Sequence, residues 1–75
     1  MRVRVFLRQP LFTLPEAEHV PAASYILEGT LGAESQLGPT LKVDVYLDER
    51  GRTLSGKPTT LVVPSAKIDH VLVLD

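Results

Sequence analysis

Apolar and polar residues alternate with a period of two along most of this chain. That spacing predicts strands with one buried and one wet face. From Arg2 to Arg8, Val3, Val5 and Leu7 fall on one side, and Arg2, Arg4, Phe6 and Arg8 on the other. From Ser24 to Leu31, Tyr25, Leu27, Gly29 and Leu31 oppose Ser24, Ile26, Glu28 and Thr30. The cleanest alternation runs from Thr40 to Asp48: Leu41, Val43, Val45 and Leu47 are expected inward, and Lys42, Asp44, Tyr46 and Asp48 outward. A one-residue slip would expose all four inward positions, so the register is strongly specified.

Turn signals separate these runs. Gly32 to Pro39 reads as a hairpin loop. Asp48-Glu49-Arg50-Gly51 reads as a tight turn, with Gly51 free to take a positive φ. A short fourth strand is expected from Arg52 to Leu54. Gln9 to Ala23 breaks the pattern, because Pro10, Pro15 and Pro21 are too closely spaced for a long helix. Thr13-Leu14-Pro15-Glu16 has the form of a capping box, so the only helix expected is one turn from Pro15 to His19. Leu11, Phe12, Leu14 and Val20 are expected to anchor this connection across one end of the core. Five or six short strands in a chain this small leave no room for parallel crossovers. The fold class is therefore all-β: one domain over residues 1–75, built as a small antiparallel barrel or strongly curled sheet.

The last seventeen residues hold two β-branched, apolar runs around the connector Pro64-Ser65-Ala66-Lys67. Val63-Pro64-Ser65-Ala66-Lys67-Ile68 resembles the short turn before the last strand of Src-homology-3-like barrels, and the final strand-turn-strand resembles the end of Sm-like barrels. The resemblance covers about fourteen residues and implies a barrel topology. It carries over no functional residue. The chain has no Trp and no acidic, aromatic-rich first loop for a polyproline groove, and no Asn for an Sm-type RNA site.

Size and composition narrow the classes. A chain of 75 residues buries only about 60–65% of its unfolded surface, and small domains often add a staple or a partner. There is no cysteine, so disulfides and thiolate metal sites are excluded. His19 and His70 are too few for a histidine-built structural zinc site. Net charge is −1, which speaks against a whole-molecule polyanion binder. No apolar run approaches the roughly 20 residues that span a bilayer. Met1-Arg2-Val3-Arg4-Val5 does not have the form of a secretory signal. A cytoplasmic protein is expected. The lack of Asn and the six prolines fit a heat-adapted host.

The chemistry on offer is sparse. Asp69 precedes His70, but neighbours on a regular strand point to opposite faces, so the two are expected to diverge. Glu16, Glu18 and His19 offer oxygen and nitrogen donors, of which only Glu16 and His19 share a face of a helical turn; two ligands do not make a site. Ser65 lies in no Gly-x-Ser-x-Gly elbow, and its hydroxyl is expected to bond nearby backbone. No phosphate-binding glycine motif is present. Catalytic residues, cofactors and metals are therefore not expected, and the chain is read as a non-enzyme.

Two surfaces remain. Arg2, Arg4, Phe6 and Arg8, with Lys42, form a basic stripe with an aromatic between, the pattern of a platform for RNA or single-stranded DNA. The competing reading is a solvated face whose arginines pair with nearby Glu or Asp, and the low aromatic content favours it. The second surface is Val71-Leu72-Val73-Leu74, apolar on both sides. One side is expected to line the core and the other to need a cover, either the Leu11–Val20 connection or a second copy of the chain. The second copy predicts a homo-oligomer, most simply a twofold dimer, joined through the final strand or the Arg2–Arg8 strand, with Val71, Val73 and His70 as candidate interface residues. The leading function is a protein-interaction module acting as a homo-oligomer, with another protein as a further possible partner; nucleic-acid binding is the alternative.

Overall fold

The computed structural model describes residues 1–11 and 20–75. Six strands form: β1 (Arg2–Leu7), β2 (Ile26–Glu34), β3 (Pro39–Leu47), β4 (Thr53–Leu54), β5 (Thr59–Val62) and β6 (Ile68–Val73), with one 3-10 turn at Ser65–Lys67. All pairings are antiparallel. The order is β4-β3-β2-β1-β6, and β5 pairs with the first half of β3. A flat sheet is about 10 Å thick, whereas this one fills 25 × 24 × 21 Å. It is strongly curled. Among the described residues no ladder joins β5 to β6, so the all-β sheet is open and the barrel is not closed.

The core collects where the alternation points it. Val3, Val5 and Leu7 of β1 meet Leu27 of β2 and Leu41, Val43 and Tyr46 of β3, capped by Val20 and Val63. Of the four expected anchors of the first connection, Val20 joins the core and Leu11 packs against it. Phe12, Leu14, the helical turn over 15–19 and the candidate donors Glu16, Glu18 and His19 lie outside the described residues.

The turns fall largely as expected. The Gly51 N–H donates to the Asp48 carbonyl at 3.0 Å, and Gly51 takes a φ of 81°. The first hairpin differs: β2 runs on to Glu34, so the loop shrinks to Ser35–Gly38, closed by two Ser35–Gly38 backbone bonds. Ser65 also differs. It is the Ser65 backbone N–H that bonds, to the Leu37 carbonyl at 2.9 Å, tying the 3-10 turn to that loop.

Three departures share one kind of cause, a local break in strand regularity. Glu28 pairs with Val45 and Gly29 with Val43, so Asp44 is an extra residue on β3. Such a bulge reverses the alternation beyond it. Tyr46 is consequently buried, where it was expected outside, and Val45 is only half-buried, where it was expected inside. At the entry to β2, before the strand begins, Ser24 is buried instead of Tyr25; its hydroxyl donates to the Ile26 carbonyl at 3.2 Å. On β6, Phe6 pairs with His70 and Leu7 with Ile68, which leaves Asp69 as a second extra residue.

The expectation that one side of the last strand lines the core is also corrected. Val71 and Val73 lie opposite Val5 and Val3, hence on the core side of the sheet. They remain 44% and 53% exposed, and Leu72 and Leu74 are 47% and 39% exposed. Ile68 packs against the core, but among the described residues β5 does not reach β6, and the stretch from Val71 to Leu74 is not closed over on either side.

Candidate partner-binding face

The outer surface of the sheet is organised as cross-strand rows, since residues opposite one another in an antiparallel ladder share a face. One row reads Thr60, Lys42, Thr30, Arg2. The next reads Val45, Glu28, Arg4, Leu72, and the third Leu47, Ile26, Phe6, His70. The sequence-predicted residues Arg2, Arg4, Phe6 and Lys42 are thus brought to one face.

They are not equally available. Arg2 grips Asp44 with two parallel bonds, Nη1 to Oδ2 at 3.0 Å and Nη2 to Oδ1 at 2.8 Å. Its Nη2 also donates to Glu28 Oε2 at 3.2 Å. Arg4 donates to Glu28 Oε1 from Nε at 3.0 Å and from Nη2 at 2.8 Å. The β3 bulge makes this network possible by turning the extra residue, Asp44, toward Arg2. Paired guanidinium groups favour ionised carboxylates. Arg4 and then Arg2 hold the Glu28 carboxyl below its usual range against the opposing effect of burial, and Arg2 does the same for Asp44. The reading in which the arginines pair with neighbouring acids therefore describes Arg2 and Arg4. Arg8 differs again: its Nε donates to the Ile68 carbonyl at 3.1 Å. Lys42 is exposed beside a cleft of about 340 Å³ that also involves Thr30, Asp44, Thr59 and Thr60.

His70 stands elsewhere than the sequence placed it. Its ring stacks on Phe6, with centroids 4.2 Å apart and planes 10° from parallel. Its Nδ1 lies 2.9 Å from Asp69 Oδ2. The expectation that Asp69 and His70 diverge is overturned by the bulge, which breaks the strict up-and-down order of neighbouring side chains. Both remain well exposed. An imidazole oriented by a carboxylate is half of a hydrolytic arrangement. The cleft of about 200 Å³ around it is lined by Phe6, Leu7, Tyr25, Ile26, Glu49, Asp69 and His70. This lining offers the phenol of Tyr25 but no Ser or Thr hydroxyl for that base to activate. Among the described residues no three His, Asp or Glu side chains could hold a metal ion.

Tyr25, Ile26 and Glu49 were not singled out as site residues by the sequence. The alternation puts Tyr25 on the core side, and Glu49 sits in the turn after β3, far in sequence from Phe6 although both line this cleft. A signal for Asp69 did exist: a polar residue between Ile68 and Val71 interrupts an otherwise apolar strand.

The second surface is the free edge of β6. The Leu74 N–H donates to the Arg2 carbonyl at 2.9 Å. Successive residues of a strand turn their amides to alternate sides, so Leu72 also faces β1 while Val71 and Val73 direct N–H and C=O away from it. Among the described residues no strand pairs with that edge. No helix of the described residues is long and apolar enough to cross a membrane. No protein-family model, no curated protein and no solved structure matches this chain.

Proposed function

We propose that this chain is a non-enzymatic protein-interaction module of the cytoplasm that acts as a homo-oligomer, most simply a twofold dimer joined through β6. One observation carries the reading. β6 is an edge strand that combines backbone groups at Val71 and Val73 that pair with no strand among the described residues with four consecutive exposed apolar side chains, from Val71 to Leu74. An edge of this kind is a template for another strand. Natural monomers blunt such edges with charge, proline or a covering loop; here Asp69 and Asp75 lie only at the two ends of the apolar run. Antiparallel addition of a second β6 is self-complementary and closes after two copies.

The alternative, a platform for RNA or single-stranded DNA, asks Arg2, Arg4, Phe6, Arg8 and Lys42 to be available together. Arg2 and Arg4 are committed to Asp44 and Glu28, and one face of Phe6 is taken by His70, so the dimer reading is preferred. Sedimentation velocity tests it. The expected result is a monomer–dimer equilibrium that Val73→Lys shifts to monomer. A wild-type chain that stays monomeric at high micromolar concentration defeats the proposal. Retention on heparin that drops for Arg4→Glu would favour the alternative instead.

A further inference from the structure

The cleft beside His70 has a consistent chemical character. Its floor and walls are apolar or aromatic: Phe6, Leu7, Tyr25 and Ile26. Its polar lining comes from Glu49 in the turn after β3 and from Asp69 and His70 on β6. At about 200 Å³ it lies below the roughly 300–1,000 Å³ of sites that enclose a small-molecule ligand. It has room for one long side chain reaching in from a surface. A side chain that lays a methylene stem on apolar walls and carries a positive head suits this lining. A flat guanidinium suits it best, because it stacks on aromatic faces and forks onto carboxylates.

The two carboxylates of the cleft differ from the other acids of this face. Glu28 and Asp44 are neutralised by Arg2 and Arg4, and Asp48 by Arg52 at 2.8 Å. Asp69 instead contacts the His70 imidazole at Nδ1, and among the described residues no Lys or Arg pairs with Asp69 and no ion pair engages Glu49. No Lys or Arg is among the described residues that line the cleft, and Arg8, which follows β1, turns its Nε to the Ile68 carbonyl. The described lining is therefore acidic and aromatic, and all of it comes from one chain.

We propose that this cleft seats a single arginine side chain presented by a partner polypeptide. The inference does not depend on the dimer reading, since no residue of a second copy is needed to build the site. The β6 bulge is its structural basis: without the extra residue, Asp69 would lie on the sheet's other side and His70 would lose its partner.

The test uses dilute, isotope-labelled full chain titrated with acetyl-arginine-amide, and separately with acetyl-citrulline-amide, which keeps the shape and removes the charge. The expected result is saturable movement of the amide resonances of Phe6, Tyr25, Glu49 and His70 with the arginine probe, and affinity weaker by about tenfold or more for citrulline, the size of one lost charge-assisted contact. Glu49→Gln should weaken the arginine probe by a similar factor, whereas Glu34→Gln, the same charge change at the distant β2 hairpin, should not. Equal response to both probes, movement scattered over the surface, no movement at all, or an unchanged affinity in Glu49→Gln each overturns the proposal. Sedimentation of the same sample reports the dimer independently, so one reading can fail while the other stands.

Discussion

Glu28 is the hinge of the outer face at the scale of single residues. Its side chain is only 16% exposed, and it accepts bonds from both Arg2 and Arg4. Because its carboxyl and that of Asp44 are held below their usual range, the folded chain takes up protons less readily than the unfolded one as pH falls. The stabilisation is complete above the ordinary carboxylate range, near pH 4, and is lost as pH falls through the lowered folded values. Urea unfolding should therefore show a falling midpoint below about pH 4. Glu28→Gln should cost about 1 kcal/mol at neutral pH, as expected for a partly exposed pair network, and should flatten that acid limb. An acid limb as steep in Glu28→Gln as in the wild type would remove Glu28 from the explanation. Tyr46 makes a second residue-scale case. It is fully buried, and its hydroxyl donates to the Lys57 carbonyl at 2.9 Å, holding down the chain that leads into β5. Tyr46→Phe should cost about 0.5–1.5 kcal/mol, measurable as a lowered urea midpoint with unchanged slope. None of this was legible at Tyr46 itself, since Leu41, Val43, Val45 and Leu47 are all apolar and present an unbroken inward phase.

At the scale of elements, alternation located the strands and the two bulges limited what it could say about faces. β1 was read correctly throughout: Val3, Val5 and Leu7 are buried and the arginines lie outside. β3 was read correctly up to Asp44; beyond it Leu47 is buried as expected, but Tyr46 is buried and Val45 only half-buried against expectation, because an inserted residue has no signature when both phases downstream are apolar. A partial signal lay across the ladder. Gly29 interrupts the apolar series of β2, and an isolated glycine within a strand often marks a bulge or a close backbone approach. Both apply here: a Cβ on Gly29 would overlap the Lys42 carbonyl oxygen and crowd the Val43 Cα. Gly29→Ala should therefore destabilise by about 1–3 kcal/mol or more, since backbone cannot yield as a side-chain tip does. Gly32, three residues on in the same strand, meets nothing nearer than 3.4 Å. Gly32→Ala should be tolerated or slightly stabilising, because alanine loses less chain entropy on folding. Paired thermal melts decide the matter: similar melting temperatures for the two variants would mean that β2 and β3 do not approach as closely as described. The same limit hid the cleft, because the Asp69–His70 contact exists only through the second bulge.

At the scale of the whole molecule, the unsolved problem is the open side of the sheet. Val71 and Val73 continue the inner rows of Val5 and Val3 beyond the point where the core ends. The sequence made β6 legible as apolar on both faces, but the failure of β5 to pair with it is a property of how far the sheet curls, which no local pattern encodes. Four side chains and a strand edge make a smaller contact than the roughly 800 Å² per partner of a standard interface, so association should be weak and governed by concentration. Linkage then makes a specific demand. If the folded chain dimerises and the unfolded chain does not, the melting temperature rises with total concentration. Each tenfold step in the dimer regime adds about 0.7 kcal/mol per chain, half of the roughly 1.4 kcal/mol per decade, and hence a few degrees for a domain of this size. Val73→Lys should abolish the slope while leaving the dilute-limit melting temperature close to that of the wild type, because Val73 contributes little to the isolated core. A variant that melts far lower at every concentration would instead place Val73 inside the monomer's own stability. A wild type whose melting temperature does not move with concentration would leave β6 without a second copy to cover it.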